Sequence, residues 1–88
     1  MNKPAKQHQT RRYKEAGNYL QELRKKAGYA SRSAFVCELL QRFGPRFDYE
    51  VITRIEQGRT EPKVAHLMAY QRITGASAET MLAIPGYI

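Results

Sequence analysis

The chain has 88 residues and carries 15 Lys and Arg against eight Asp and Glu, which gives a formal charge of +7. This length allows one small domain with a single core and excludes a second domain. The basic excess is typical of a module that binds nucleic acid.

The only cysteine, Cys37, excludes an internal disulfide, and the N-terminus lacks the apolar run of a signal peptide. We therefore expect a reducing, cytoplasmic compartment and no membrane segment. Cys37 lies within a helical pattern and is expected to be a packed or half-buried, inert thiol.

Residues 1–14 are expected to form a basic, flexible arm. Asn, Lys, Pro, Gln and His follow one another there without apolar periodicity, which favours disorder. The arm contains no acid, while residues 15–88 hold ten bases and eight acids, a net charge of only +2. Its basic residues are Lys3, Lys6, Arg11, Arg12 and Lys14.

The first predicted helix ends at Lys26, before Gly28, and begins at either Tyr13 or Asn18 because Gly17 leaves its start open. The second begins after Ser31 as N-cap and ends at Phe43, where Gly44 and Pro45 follow. Residues 44–47 then form a short turn of the helix-turn-helix kind. Apolar residues expected to face the core are Tyr19, Leu20, Leu23, Phe35, Val36, Leu39, Leu40 and Phe43.

The third predicted helix covers residues 48–57, about ten residues, and is the most informative segment. Asp48 suits its N-cap, Phe47 can pack back onto it, and Gly58 can take the left-handed conformation that ends it. Val51, Ile52 and Ile55 form the inward stripe. The other faces carry groups that can hydrogen-bond base edges, although any amphipathic surface helix also has a polar face.

Two further helices are predicted. Pro62 fits the first turn of the fourth, which runs to Gly75, and Ser77 caps a short fifth helix over residues 78–83. The fourth carries Val64, Leu67, Met68, Tyr70 and Ile73 toward the core. No strand pattern is present, so we predict three parts: the arm 1–14, an all-α domain over residues 15–84, and an apolar tail, 85–88.

Apolar residues near the C-terminus exceed what so small a core needs. We expect them to serve dimerisation, or alternatively to fold over the chain's own core. They are Met81, Leu82, Ile84, Tyr87 and Ile88.

Residues 20–84 resemble the Cro/CI-type (XRE family) helix-turn-helix domain of phage repressors and many bacterial regulators. The resemblance rests on residues 19–28, on Ser31, and on Ile52-Thr53-Arg54-Ile55-Glu56-Gln57-Gly58-Arg59 with Pro62 after it. It implies a compact, lambda-repressor-like bundle of five helices. It also implies an ion pair between Arg24 and Glu56 that fixes the third helix against the first. The second helix and its turn are longer than the family pattern.

The resemblance further implies that the third helix enters the major groove and that its first residues contact bases. Arg54 can donate two hydrogen bonds to guanine, and Glu50 can accept one from cytosine. Alternatively, Glu50 complements the helix dipole and Arg54 pairs with Glu50 at i, i+4 spacing. The expected base contacts are Tyr49, Glu50, Val51, Thr53 and Arg54.

Donors around two helix N-termini and one loop are expected to hold phosphates, although any one of them could instead be an ordinary solvated surface residue. The N-terminal arm could follow the adjacent minor groove, for which Arg11 and Arg12 are the best candidates. The expected phosphate contacts are Ser31, Arg32, Arg46, Arg59, Thr60 and Lys63.

Catalysis has little support, because His8 and His66 each stand alone and no pattern suggests a catalytic triad or zinc. We expect a non-enzyme without cofactor or metal: a homodimeric regulator of double-stranded DNA, most simply a repressor on an inverted repeat. The alternative is an antitoxin-like module whose apolar tail binds a toxin or host protein while the module represses its own promoter.

Overall fold

The computed structural model describes the backbone of residues 4–86 and the side chains of residues 13–86. Lys3, Tyr87 and Ile88, and the side chains of Lys6, Arg11 and Arg12, therefore lie outside the described residues. Residues 4–86 contain no strand, which confirms the predicted all-α fold. The helices are α1 (Pro4–Lys26), α2 (Arg32–Phe43), α3 (Tyr49–Glu56), α4 (Val64–Thr74) and α5 (Ala78–Leu82), with one turn of 3-10 helix (Pro45–Phe47) between α2 and α3.

Helix α1 begins at Pro4 and not at Tyr13 or Asn18, so residues 4–14, expected as a flexible arm, continue the helix. Proline suits the first turn of a helix, and the Ala, Lys, Gln and Arg residues that follow have high helix propensity. The missing apolar periodicity therefore does not prevent the backbone from being helical.

Gly17 lies inside α1 where this helix crosses the end of α3. A Cβ atom on Gly17 would lie 2.5 Å from the Ile55 carbonyl oxygen and 2.6 Å from that of Glu56. Gly58 ends α3 with φ +79°, which confirms its predicted left-handed conformation, and a Cβ there would collide with the backbone of Lys14. The two glycines thus let α1 and α3 approach backbone to backbone.

The predicted helix caps are present. The side-chain oxygen of Ser31 accepts from the Ala34 N–H at 3.1 Å, and that of Asp48 accepts from the Val51 N–H at 2.9 Å. Ser77 caps α5 in the same way. Helix α3 is eight residues long, slightly shorter than predicted, because Asp48 and Gln57 are its caps and not part of it.

The core is a single apolar cluster with buried residues from α1, α2, the 3-10 turn, α3 and α4, together with Ile84 after α5. Leu20, Leu39, Ile52 and Ile55 are fully buried, and the Phe35 and Tyr70 rings pack at 4.7 Å between centroids. The remaining buried apolar residues are Ala16, Val36, Phe47, Leu67, Ala69 and Ile84.

Four side chains predicted to be covered lie in solvent, among them Leu40, which is 38% exposed. Val64 and Met68 are 65% and 54% exposed, because α4 carries more apolar residues than one face can hold and Leu67 and Tyr70 occupy the inward face. Cys37 is exposed as well, since the neighbouring Phe35 and Val36 turn α2 so that Cys37 faces outward.

The C-terminal segment folds over its own core. Ile84, predicted to serve dimerisation, is only 1% exposed, and Met81 packs against the same core. The Tyr19 hydroxyl on α1 donates to the Thr80 carbonyl at 2.8 Å and helps hold α5 there. Leu82, 60% exposed, is the one residue of the predicted dimerisation set that faces solvent within residues 13–86. No helix in the described part of the chain is both long and apolar enough to cross a membrane.

Candidate nucleic-acid interface

A buried carboxylate anchors the C-terminal end of α3. The Glu56 side chain is fully covered and accepts from Arg24 Nε at 3.0 Å and from Arg24 Nη2 at 3.1 Å. Arg24 Nη1 donates to the carbonyls of Tyr29 and Ala30 at 2.8 and 2.9 Å. The pair that the family resemblance implied is thus present as a buried, multiply hydrogen-bonded contact between α1 and α3.

Tyr70 joins this network from α4. Its hydroxyl donates to Glu56 Oε2 at 2.6 Å. Burial, and then the negative charge of Glu56 and this hydrogen bond, raise the pKa of Tyr70 well above its ordinary value, so the hydroxyl stays protonated and keeps donating. One carboxylate therefore connects α1, α3 and α4.

Arg32 was predicted to hold a DNA phosphate, but its side chain lies against the buried Glu56 carboxylate of α3. Its Nε donates to Glu56 Oε1 at 2.9 Å, its Nη1 lies 3.5 Å from Thr53 Oγ1, and its side chain is 19% exposed. The Glu56 carboxylate is fully buried, so the local dielectric constant is low and its attraction for the Arg32 guanidinium is strong. Arg32 is therefore a support for α3 in this structure.

The outer face of α3 carries the side chains predicted to contact bases. Tyr49 is 48% exposed, while Val51 and Thr53 are half-buried. Arg54 Nη2 lies 3.2 Å from Glu50 Oε2, so the intrahelical pair that the sequence left open as an alternative is formed. Glu50 is exposed and Arg54 is partly exposed, and pairs of this kind contribute only about 0 to 1 kcal/mol.

A groove of about 400 Å³ lies beside this face, between the 3-10 turn, α3 and the start of α4. Five residues that the sequence predicted as DNA contacts line this groove: Arg46, Val51, Arg54, Thr60 and Lys63. No acid is among the described residues that line it. We call it the basic groove; it is lined by Arg46, Phe47, Val51, Arg54, Thr60, Lys63, Ala65 and His66.

Besides Arg32, the predicted phosphate contacts Ser31 and Arg59 lie outside the basic groove, as does Lys14 of the predicted N-terminal arm. Ser31 is exposed, but its hydroxyl caps α2. Arg59 is exposed and its Nη1 donates to Gln57 Oε1 at 3.1 Å. Lys14 is exposed on α1, next to the Gly58 turn.

His66 is part of the basic groove and was missed as a site residue. Its Nδ1 accepts from the Lys63 backbone N–H at 3.0 Å, and its ring packs edge-on against Phe47 at 5.8 Å between centroids. The sequence does hold a signal for this: His66 is the third residue of α4, where a side chain can reach back to the N-cap N–H.

His66 should make stability depend on pH. Burial, and then the positive charge of Lys63, lower its pKa from the ordinary value of about 6.5. The unfolded chain then binds more protons than the folded protein, so the contribution is present above about pH 6.5 and is lost as the pH falls. Urea midpoints measured between about pH 7.5 and 5.5 should fall more in the wild type than in His66→Gln. Equal falls in both proteins would contradict the prediction.

Comparison with known proteins adds no relative: no family model, no curated protein and no solved structure matches the chain. Within the described residues, no group of three His, Cys, Asp or Glu is placed to hold a metal ion.

Proposed function

We propose that this protein is a sequence-specific regulator that binds double-stranded DNA, with α3 in the major groove. The observation that carries the proposal is the basic groove, where outward residues of α3 lie beside Arg46, Thr60 and Lys63. A major-groove helix needs side chains for base edges and, next to them, donors for phosphates. The groove and the outer face of α3 supply both on one surface.

Arg54 is the strongest candidate for reading a base. Its guanidinium can donate two parallel hydrogen bonds to guanine O6 and N7. Breaking the pair with Glu50 costs little free energy, because the Glu50 side chain is 75% exposed and that of Arg54 is 42% exposed. The other proposed base contacts are Tyr49, Glu50, Val51 and Thr53.

The backbone contacts follow from the same surface. Arg46, Thr60 and Lys63 line the basic groove, Arg59 follows the end of α3, and Ser31 caps the start of α2. The basic N-terminal segment adds charge that attracts any duplex. Its proposed contribution to binding is this charge alone.

The proposal includes a homodimer that represses transcription by occupying an inverted repeat. An eight-residue recognition helix reads few base pairs, and two copies supply the contact area that tight specific binding needs. The half-sites would lie about 10 to 10.5 base pairs apart, centre to centre. Such a protein is not an enzyme, needs no cofactor, and acts in the cytoplasm.

Selection from a random duplex pool tests the proposal. The pool is incubated at about 0.15 M salt with excess non-specific competitor, because salt sets the non-specific background. We expect enrichment of an inverted repeat, and its spacing gives the distance between half-sites. Binding without enrichment of any sequence would contradict sequence-specific recognition.

Arg54→Ala should relax base preference at one position of each half-site. A bidentate contact is worth about 1 to 3 kcal/mol of discrimination, and the salt slope should stay nearly constant because no phosphate contact is lost. Lys63→Ala is the matched control: it should weaken all duplexes alike and reduce the slope by about one. Affinities for single-base variants of the selected duplex, measured at several salt concentrations, distinguish the two. If Arg54→Ala instead lowered the affinity for all duplexes by the same factor, Arg54 would be assigned to a phosphate contact.

A protein-interaction role is the second candidate, and the exposure of Leu82 favours it. Leu82 is the last residue of α5 and lies between Met81, which packs against the core, and the buried Ile84. An antitoxin-like protein would use this surface for a toxin or host protein. Leu82→Asp separates the possibilities: loss of dimerisation together with DNA binding assigns Leu82 to self-association, whereas loss of a copurifying partner alone favours the interaction role.

A further inference from the structure

We infer that His66 contacts DNA: its neutral imidazole, held in one tautomer by the start of α4, donates an Nε2–H hydrogen bond to a backbone phosphate in the basic groove. This inference rests on the proposed function and adds to it a neutral phosphate donor that no sequence motif marks.

The tautomer follows from the helix start. Lys63 has a backbone N–H that would otherwise lack a partner within α4, and His66 Nδ1 accepts it at 3.0 Å. A nitrogen that accepts carries no proton, so in the neutral ring the proton is on Nε2. Lys63 cannot return the bond with its own side chain, because an ammonium group has no lone pair.

The position of the ring makes Nε2 available for a ligand. Phe47 contacts the ring edge-on, and His66 lines the basic groove with Val51 and the three cationic residues. Nδ1 is already occupied, so Nε2–H is the donor that the ring can offer to an anion there. Arg46 and Lys63, with the neutral His66 donor beside them in the groove, suit a phosphate group.

The surroundings keep His66 neutral. Every charged residue that lines the groove is cationic: Arg46 from the 3-10 turn, Arg54 from α3 and Lys63 before α4. Lys63 disfavours a further positive charge on the ring, and protonating Nδ1 would break the bond to the Lys63 N–H. His66 therefore adds a hydrogen bond without adding charge, and it releases no counterion when DNA binds.

Two substitutions separate this role from helix capping. Gln and Glu are both favourable at the third position of a helix and can both accept from the N-cap N–H. His66→Gln keeps an N–H donor, whereas His66→Glu replaces it with a carboxylate that repels phosphate. We expect the thermal midpoints of both variants to stay close to that of the wild type. His66→Gln should also retain most of the affinity for DNA. His66→Glu should lose about 10- to 100-fold for all duplexes.

The tautomer is read directly from the ¹⁵N shifts of the imidazole, recorded near neutral pH for the free protein and for its complex with the selected duplex. We expect the Nε2–H form in both. A His66→Glu variant that binds like the wild type would overturn the inference while leaving the proposed function intact, as would an Nδ1–H ring in the complex. A wild-type protein that binds no duplex would overturn both.

Discussion

Glu56→Ala is expected to lower the free energy of unfolding by about 3 to 5 kcal/mol, because it leaves buried positive charge without a partner. Arg24 is only 3% exposed, and Arg32 and the Tyr70 hydroxyl lose the same acceptor. In a domain of this size each kcal/mol shifts the melting temperature by about 4 to 8 °C, so the midpoint should fall by more than about 12 °C. Thermal denaturation followed by circular dichroism measures the change.

Glu38→Ala is the matched control. Glu38 also pairs with an arginine, Arg42, at 2.9 Å, but this i, i+4 pair on α2 is partly exposed, with Arg42 53% accessible. Such pairs contribute about 0.3 to 0.5 kcal/mol, so the midpoint should move by only a few degrees. Similar small shifts in both variants would contradict the role assigned to the Glu56 network.

Gly17→Ala is expected to destabilise the protein, although alanine is the better helix former. The added Cβ would lie 2.5 and 2.6 Å from two backbone carbonyl oxygens of α3, which cannot rotate away as a side chain can. Overpacking of this kind costs about 1 to 3 kcal/mol, and here we expect the upper end. Alanine's propensity offsets about 1 kcal/mol, which leaves a net loss of about 2 kcal/mol. Urea unfolding at equilibrium measures it.

The neighbouring Asn18 supplies the control, since it is exposed on the same helix. Asn18→Ala gains helix propensity without meeting α3 and should raise stability by less than about 0.7 kcal/mol. A Gly17→Ala protein that is as stable as Asn18→Ala would show that α1 and α3 do not approach as closely as described.

Local signals were sufficient to predict α2, the cap of α3 and the end of α3. Ser31, Asp48 and Gly58 each act through their own or the next few residues, so their effect can be seen in the sequence. The contact between Arg24 and Glu56 joins residues far apart in the chain, and it was anticipated from the family resemblance and not from local chemistry.

Other features depend on packing and could not be predicted in this way. Arg32 follows a helix cap, where a phosphate contact is reasonable, but the buried carboxylate of Glu56 lies within its reach only after α3 has docked. Val64 and Met68 are apolar at helical spacing, and only the orientation of α4 decides that they face solvent. Gly17 weakens helix propensity locally, yet its place in the middle of α1 follows from the crossing with α3.

The most direct test of the account is which surface DNA covers. Backbone amide shifts of the ¹⁵N-labelled protein can be recorded while a short duplex is added. We expect the changes to cluster at residues 46–54 and 59–66, around the basic groove and the start of α3, with further changes near Ser31. A separate cleft between α1 and the C-terminal segment, lined in part by Glu15 and Glu22, should show none. Shifts confined to that cleft, or no shifts at any residue, would contradict the account.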